Sequence, residues 1–349
     1  MTKILRSFLI AIFFISSNLY AQIGVKHYSF NDATRNKKIS VTCWYPANAN
    51  DKGEIPKGIW KQNEMISDAP INLQAATARN GKLPLVVISH GYQSSPDSLS
   101  WLASDLVKHG FIVVAIQHQD VSVDNKPYME HWQRAIDVSV MLKDLQQASM
   151  SNNIDFSRIG FAGYSLGTST GLWLAGGIAS TYERTVNPGR QFAPADEFPD
   201  LDSENADYLL HHTDFKAAKK NYRDPLIKSV FLMAPGYGWA FDAKHLADIT
   251  IPFFLVAAEK DEMLYPETNA YYFSKYIPNS EMKIMPDIGH FIFLNQTKEA
   301  ASADLTAEEK KHIVLLKQLG QYQYSDEERE KVQQEVGNLA VNFFLATLK

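Results

Sequence analysis

The sequence predicts an α/β fold in which a mostly parallel β-sheet is covered by helices on both faces. From Leu83 onwards, short apolar runs alternate with longer amphipathic segments, and this alternation is typical of buried parallel strands joined by helices. The 349 residues are 45% hydrophobic and 21% charged, which is ordinary for a chain that buries a large core. We therefore expect one large α/β domain.

The first 21 residues have the three parts of a secretory signal. Lys3 and Arg6 precede the uncharged apolar run 8–15, and small residues lead to a predicted cleavage site after Ala21. The apolar run is shorter than the roughly 20 residues that span a bilayer. We therefore predict export to the periplasm or the medium without a stable membrane anchor, and a mature domain formed by residues 22–349.

Cysteine content and charge exclude several classes of protein. The single cysteine, Cys43, cannot form an intramolecular disulfide, and its apolar surroundings predict a buried side chain. A net charge of −5 without Lys/Arg clusters argues against nucleic acid as a partner. No His, Cys or carboxylate group has the spacing of metal ligands, so neither a metal nor another cofactor is expected.

The strands and helices are predicted in the following order. A first strand at residues 38–45 alternates polar and apolar residues and is ended by Pro46. Residues 47–82 are predicted as a long loop. Further strands follow at 85–89, 111–116, 158–164, 229–233, 253–257 and 282–285, with helices at 99–108, 128–147 and 166–179. The tail 306–349 is helical in pattern, and its apolar stripe over 336–348 is suited to packing on the sheet.

Residues 180–227 form a polar insertion between a predicted helix and the next strand. They include Pro188, Pro194, Pro199 and many acidic residues. Structureless loops of this length are uncommon inside a compact domain, so we predict a cap or lid.

The segment Gly163-Tyr164-Ser165-Leu166-Gly167 matches the pattern G-x-S-x-G between a buried strand and a helix. Such a turn exposes a nucleophilic serine at the carboxyl edge of the sheet, and the two glycines allow the sharp bend. We interpret Ser165 as a nucleophile. The alternative interpretation is a glycine-flanked turn whose serine caps the following helix.

A serine nucleophile needs a base, and the base needs an orienting carboxylate; after such a turn they follow in the order Ser, acid, His. His290 follows the last predicted strand in a glycine-containing turn and is the best candidate base. The other histidines considered, which fit worse by position or order, are His118, His211, His212 and His312.

Asp261 is the preferred acid because it lies in the loop after the buried strand 253–257. Glu259 and Asp242 remain alternatives, the latter because it follows the preceding strand. Asp287 is too close in sequence to His290 to orient its ring.

Acyl transfer also needs N–H groups that stabilise an oxyanion. We expect one from the amide of Leu166. The other is expected from Tyr92, after a strand-ending His90-Gly91 pair that is otherwise interpreted as an ordinary turn.

Together, the segments LPLVVISHGY, GYSLG, IPFFLVAAEKD and DIGHF resemble the dienelactone hydrolase and platelet-activating-factor acetylhydrolase branch of the α/β-hydrolases. The segment VTCWYPA is similar to the second strand of bacterial members, so the resemblance covers roughly residues 23–349. It implies the α/β-hydrolase fold, a mostly parallel eight-stranded sheet, and metal-free hydrolysis of a small-molecule carboxylic ester. It also implies that Ser165, Asp261 and His290 form the catalytic set, with Leu166 and Tyr92 as oxyanion donors.

The resemblance has limits. Some members carry the acid one strand earlier, which would favour Asp242, and the acidic insertion has no match in this branch. The sequence His90-Gly91-Tyr92 with Trp101 is also similar to polyester-degrading cutinase-like enzymes. The same residue set would serve a peptidase, and a non-catalytic binding scaffold is the alternative from another class.

Overall fold

The computed structural model describes residues 22–47, 65–67, 71–72, 77–120, 128–185, 203–295 and 323–349. The predicted signal segment, most of the predicted loop 47–82, and residues 186–202 of the predicted cap lie outside the described residues. Within the described ranges, no helix combines the length and apolar character needed to cross a lipid bilayer.

The described residues form one nine-stranded sheet. Its strands are β1 (Gln22–Asp32), β2 (Lys37–Ala47), β3 (Met65–Ser67), β4 (Leu83–Ser89), β5 (Ile112–Gln117), β6 (Ile154–Tyr164), β7 (Ile227–Met233), β8 (Phe253–Ala258) and β9 (Ser280–Met285). The spatial order is β3-β1-β2-β5-β4-β6-β7-β8-β9. Strand β2 is antiparallel to both β1 and β5, whereas neighbouring strands from β5 to β9 are parallel. The predicted mostly parallel eight-stranded sheet is confirmed, and the three-residue β3 adds to one edge.

The first part of the sheet differs from the prediction. Strand β1 was not predicted, and β2 continues through Pro46 rather than ending there. Proline lacks an N–H group, so a strand tolerates it where no neighbour needs that donor. Within β2, only residues Ser40 to Trp44 pair with β5, so Pro46 lies beyond that pairing. The Pro46 carbonyl accepts a hydrogen bond from the Asn72 amide at 2.7 Å.

Within the part of the chain that the structure describes, eight α-helices connect or cover the strands. They are α1 (Ser100–Lys108), α2 (Gln133–Leu145), α3 (Leu166–Ala175), α4 (Ser203–His212), α5 (Phe215–Ala218), α6 (Ala243–Ala247), α7 (Ala270–Tyr276) and α8 (Asp326–Thr347). Helices α1 and α8 pack on one face of the sheet, and α2, α3, α6 and α7 pack on the other. This is the predicted arrangement of helices on both faces.

Helix ends follow local chemistry. Helix α3 is four residues shorter at its carboxyl end than predicted because Gly176 ends it in the left-handed region, with φ 102°. The predicted tail helix begins at a capping box in which Ser325 and Glu328 exchange hydrogen bonds with each other's backbone. On its apolar side, the buried ring of Phe344 packs over Gly160, where any larger side chain would collide with it.

The parallel strands bring the candidate residues to one edge of the sheet. Strands β4, β6, β8 and β9 all end there, and the chain after each of them carries one part of the predicted site. These parts are the His90-Gly91-Tyr92 loop, Ser165, Asp261 and His290. The carboxyl edge of a parallel sheet is where such folds carry their sites.

Candidate active site

Ser165 lies at the corner between β6 and α3 with φ 53° and ψ −123°, a backbone conformation that few residues other than glycine adopt. A methyl group on Gly163 would lie 2.5 Å from the carbonyl oxygen of Gly167, and one on Gly167 would overlap the carbonyl of Ser89. Both positions therefore require glycine. The corner is also held by the Thr168 hydroxyl, which donates to the Ser165 carbonyl at 2.5 Å.

His290 is buried directly beside this corner. Its Nε2 atom lies 3.0 Å from the Ser165 hydroxyl oxygen, which is hydrogen-bonding distance. The Tyr164 hydroxyl donates to the His290 carbonyl at 3.0 Å, and the two rings are 5.1 Å apart between centroids. Tyr164, the residue before Ser165, therefore connects the turn that carries the imidazole to the serine corner, a role that the sequence did not reveal.

The C-terminal helix also holds the His290 turn. The buried Arg329 of α8 donates to the carbonyls of Phe291 and Leu294 at 2.6 and 2.9 Å. Gln333, one turn further along α8, donates to the Leu294 carbonyl at 3.1 Å. The residues that follow the imidazole are therefore fixed by side chains near the end of the chain.

Asp261 lies on the other side of the imidazole and is almost fully buried, at 3% exposure. Its Oδ2 atom is 2.9 Å from His290 Nδ1, and its Oδ1 atom accepts hydrogen bonds from the amides of Met263 and Leu264 at 3.0 and 2.7 Å. These contacts orient the carboxylate toward the ring. Ser165, His290 and Asp261 thus form one continuous chain of hydrogen bonds.

The alternative acids have other partners. Asp242 caps helix α6 by accepting from the Lys244 amide at 2.8 Å, and its second oxygen accepts from the Ser180 hydroxyl at 3.2 Å. Glu259 accepts from the Asp287 amide at 3.0 Å. Asp287 itself is exposed and pairs with Lys260 at 2.8 Å, an ion pair that holds the pKa of this carboxyl below its usual value.

Two backbone segments adjoin Ser165. The amide of Leu166 is the first N–H of α3 and has no acceptor within its own helix. On the other side, a methyl group on Gly91 would lie only 3.4 Å from Cβ of Ser165, so the Gly91-Tyr92 segment runs next to Ser165. The Tyr92 ring is half exposed.

A second Ser-His-Asp set lies deeper in the sheet. The Ser89 hydroxyl is 2.9 Å from His118 Nε2, and His118 Nδ1 is 3.6 Å from an Asp137 carboxylate oxygen. All three side chains are buried, and burial lowers the pKa of His118 to about 4. Because a substrate has no access to Ser89, this set is structural.

The remaining candidate histidines do not contact Ser165. His211 and His212 are exposed on α4, where each ring bonds the carbonyl four residues earlier. His312 lies outside the described residues. Among the residues that the structure describes, no three His, Cys, Asp or Glu side chains cluster where they could hold a metal ion.

Comparisons with known proteins agree with this fold. A family model described as PET hydrolase-like matches residues 72–185. Cutinases est1 and est2 of Thermobifida alba are each 33% identical over 96 residues, which is 28% of this chain and 31% of the cutinase. The matched stretch therefore spans about a third of the length of these relatives. A ferulic acid esterase structure from Streptomyces cinnamoneus aligns over 95% of this chain and 92% of its own, with 17% identity and a TM-score of 0.59.

The sheet order, the serine corner and these likenesses define the class: the chain belongs to the α/β-hydrolase superfamily. Within the superfamily, residues 72–185 are similar to the PET hydrolase-like family. The narrower resemblance to the dienelactone hydrolase and acetylhydrolase branch stays a prediction.

Proposed function

We propose that this protein is a serine hydrolase that cleaves carboxylic esters through an acyl-enzyme intermediate. Ser165 is the nucleophile, His290 the general base and Asp261 the carboxylate that orients the imidazole. The amides of Leu166 and Tyr92 stabilise the oxyanion. The observation that carries the proposal is the unbroken hydrogen-bond chain from Asp261 through His290 to Ser165 at the corner after β6.

The chemistry follows from that chain. With its Nδ1 hydrogen donated to Asp261, His290 presents a bare Nε2 that takes the Ser165 proton as the oxygen attacks the ester carbonyl. The carbonyl electron pair moves onto oxygen, and the two amides stabilise the resulting charge. Collapse expels the alcohol, which receives the proton from His290. Water then attacks the acyl-enzyme by the same steps, releasing the acid and restoring Ser165.

The choice of esters among acyl substrates rests on the relatives. The matched proteins are named as cutinases and a ferulic acid esterase, and the family model is described as PET hydrolase-like. We further propose export through the signal at residues 1–21 and a cap formed by residues 180–227. In the described part of this insertion, Tyr182 is buried against the core, which supports close association with the domain.

A chain-length series of nitrophenyl esters tests the proposal with wild-type protein and Ser165→Ala. We expect hydrolysis by the wild type and a loss of at least about 10⁴-fold in kcat for the variant, because the covalent step is removed. A fluorophosphonate probe should label Ser165 in the folded wild type. An unlabelled, inactive wild type would instead favour the binding scaffold, and preferential cleavage of peptide nitroanilides would favour a peptidase.

Polyester hydrolysis is a second candidate function. It is favoured by the PET hydrolase-like match and by the half-exposed ring of Tyr92, which follows Gly91 in the loop next to Ser165 and offers an aromatic surface to a polymer chain. The test is product release from an insoluble polyester film, compared with Ser165→Ala. A wild type that cleaves nitrophenyl esters but releases no soluble product from the film restricts the function to small esters.

A further inference from the structure

A buried arginine grips the loop that carries the Tyr92 amide. Arg134, in α2, is 3% exposed. Its guanidinium donates to the carbonyl of His90 at 2.6 Å and to the carbonyl of Gly91 at 3.1 Å. Two consecutive carbonyls of the loop are therefore held by one rigid, planar group.

A buried carboxylate holds the loop on the other side of Tyr92, at Gln93. Asp120, just after β5, accepts two hydrogen bonds from Arg134, one of them at 2.9 Å from Nε. The same carboxylate accepts a hydrogen bond from the amide of Gln93 at 3.1 Å. Burial opposes ionisation of Asp120, but the charge and hydrogen bonds of Arg134 outweigh burial and keep its pKa below the usual value.

The neighbouring histidine adds a third support to the loop. His90 Nε2 accepts a hydrogen bond from the His118 amide at 3.1 Å, so its hydrogen is on Nδ1, which lies 2.7 Å from the Gly91 carbonyl oxygen. Burial, followed by the nearby positive charge of Arg134, lowers the pKa of His90 and keeps it neutral. The Gly91 oxygen thus accepts hydrogen bonds from both His90 and Arg134.

Because the peptide bond is planar, the hydrogen bonds to the Gly91 carbonyl also fix the direction of the Tyr92 N–H. The Gly91 carbonyl and the Tyr92 N–H belong to one planar trans peptide, so they point in opposite directions. Fixing the oxygen toward α2 directs the N–H away from α2. A methyl group on Gly91 would contact the Tyr164 ring and Cβ of Ser165, so this peptide lies directly beside Ser165.

We propose that Arg134 and Asp120 are positioning residues that hold the Gly91–Tyr92 peptide so that the Tyr92 N–H is aimed at the oxyanion formed at Ser165. The inference rests on the proposed esterase function. Neither side chain touches the substrate; both act through the loop from His90 to Gln93. A buried ion pair is a weak source of stability for a fold, so its close fit to this loop favours a positioning role.

The test compares Arg134→Gln with Arg158→Gln. Arg158 is a matched control because it is also buried, pairs with Asp155 at 2.7 Å and donates to the carbonyls of Thr77 and Lys82. It lies seven residues before Ser165 on β6, which is about 20 Å along the strand. The two substitutions therefore remove equivalent contacts at opposite ends of the sheet.

For Arg134→Gln we expect kcat for a nitrophenyl ester to fall about 10- to 100-fold with KM changed less than about threefold, because a misdirected amide weakens transition-state rather than ground-state binding. Arg134→Lys, which keeps the charge and one carbonyl contact, should recover part of the loss. Asp120→Asn should lower kcat in the same way. Arg158→Gln should leave kcat within about twofold even where its thermal stability falls equally.

A second measurement, inhibitor affinity, reports directly on stabilisation of the oxyanion. If Arg134→Gln folds poorly, the same measurement is made on the Arg134→Lys protein. A trifluoromethyl ketone, which forms an anionic adduct with Ser165, should lose affinity in proportion to kcat/KM, whereas the matching methyl ketone should not. Variants of Arg134 that keep kcat within twofold, or that only raise KM, overturn the inference while leaving the proposed function intact. A wild type that cleaves no ester overturns both.

Discussion

Replacing Asp261 with asparagine should change the tautomer of His290 while leaving the fold of the loop around residue 261 intact. The side-chain oxygen of asparagine can still accept from the amides of Met263 and Leu264, which now bond Oδ1 at 3.0 and 2.7 Å. The position facing His290 Nδ1 then becomes an NH₂ group, which can only donate. His290 must accept at Nδ1 and carry its hydrogen on Nε2, where it can no longer take the Ser165 proton.

The expected loss follows from that change of tautomer. An Asp-to-Asn substitution in a Ser-His-Asp set lowers kcat about 10⁴-fold, which corresponds to about 5.4 kcal/mol in the activation free energy. Stability should change by only about 1–2 kcal/mol, because one charge-assisted hydrogen bond is lost and the two amide contacts are kept. Steady-state hydrolysis of a nitrophenyl ester and urea denaturation measure the two quantities separately.

Asp242→Asn is the matched control, since Asp242 is also a loop carboxylate that accepts from a backbone amide. We expect this variant to keep kcat within about twofold. An Asp261→Asn protein that retains more than a tenth of the wild-type kcat, or an Asp242→Asn protein that loses as much, would contradict the assignment of Asp261.

Three further predictions concern the rest of the molecule. Hydrogen bonds from Thr34 and Arg35 lower the pKa of Asp32 to about 2 from 3.8. The ionised carboxylate therefore stabilises the fold fully above pH 3.8, and this stabilisation is lost as the pH falls through 2. The difference in melting temperature between wild type and Asp32→Asn should shrink between about pH 5 and pH 2, and a constant difference would contradict this. Burial raises the pKa of the Cys43 thiol, so a thiol reagent should modify Cys43 only in denaturant, and rapid labelling of the native protein would show that the side chain is accessible. Phe344→Ala should lower the free energy of unfolding by about 3–5 kcal/mol, because Phe344 is fully buried between α8 and the sheet. Urea denaturation measures this loss. A loss below about 1 kcal/mol would mean that α8 does not pack on the sheet in this way.

Much of the fold was predictable because buried parallel strands have a simple signature. Short apolar runs such as the one within β4 identify a strand buried on both faces, and alternation with amphipathic segments implies crossover helices. Strand β1 was missed although its second half alternates exposed His27, Ser29 and Asn31 with Tyr28 and Phe30, the same pattern that predicted the strand at 38–45. The predicted end of β2 at Pro46 was wrong for another reason. A proline ends a strand only where the neighbouring strand requires an N–H donor at that position.

The candidate site was predictable wherever a residue follows directly from the end of a strand. The positions of Ser165, Asp261 and His290 in the chain imply the same sheet edge, and the structure places their side chains within hydrogen-bonding distance of one another. Their chemical roles stay predictions.

Arg134 and Asp120 could not be found in this way, because their contacts join α2, the end of β5 and the loop after β4. The only sequence signal was an arginine on the apolar side of a predicted helix.

The contacts between α8 and the His290 turn couple two parts of the protein that are distant in sequence from the serine corner. Arg329 and Gln333 hold the carbonyls just beyond the imidazole. Undocking of α8 would remove these donors from the His290 turn while Ser165 stays at its corner after β6. We therefore expect low urea concentrations that loosen α8 to lower the rate of nitrophenyl ester hydrolysis before the rest of the sheet unfolds.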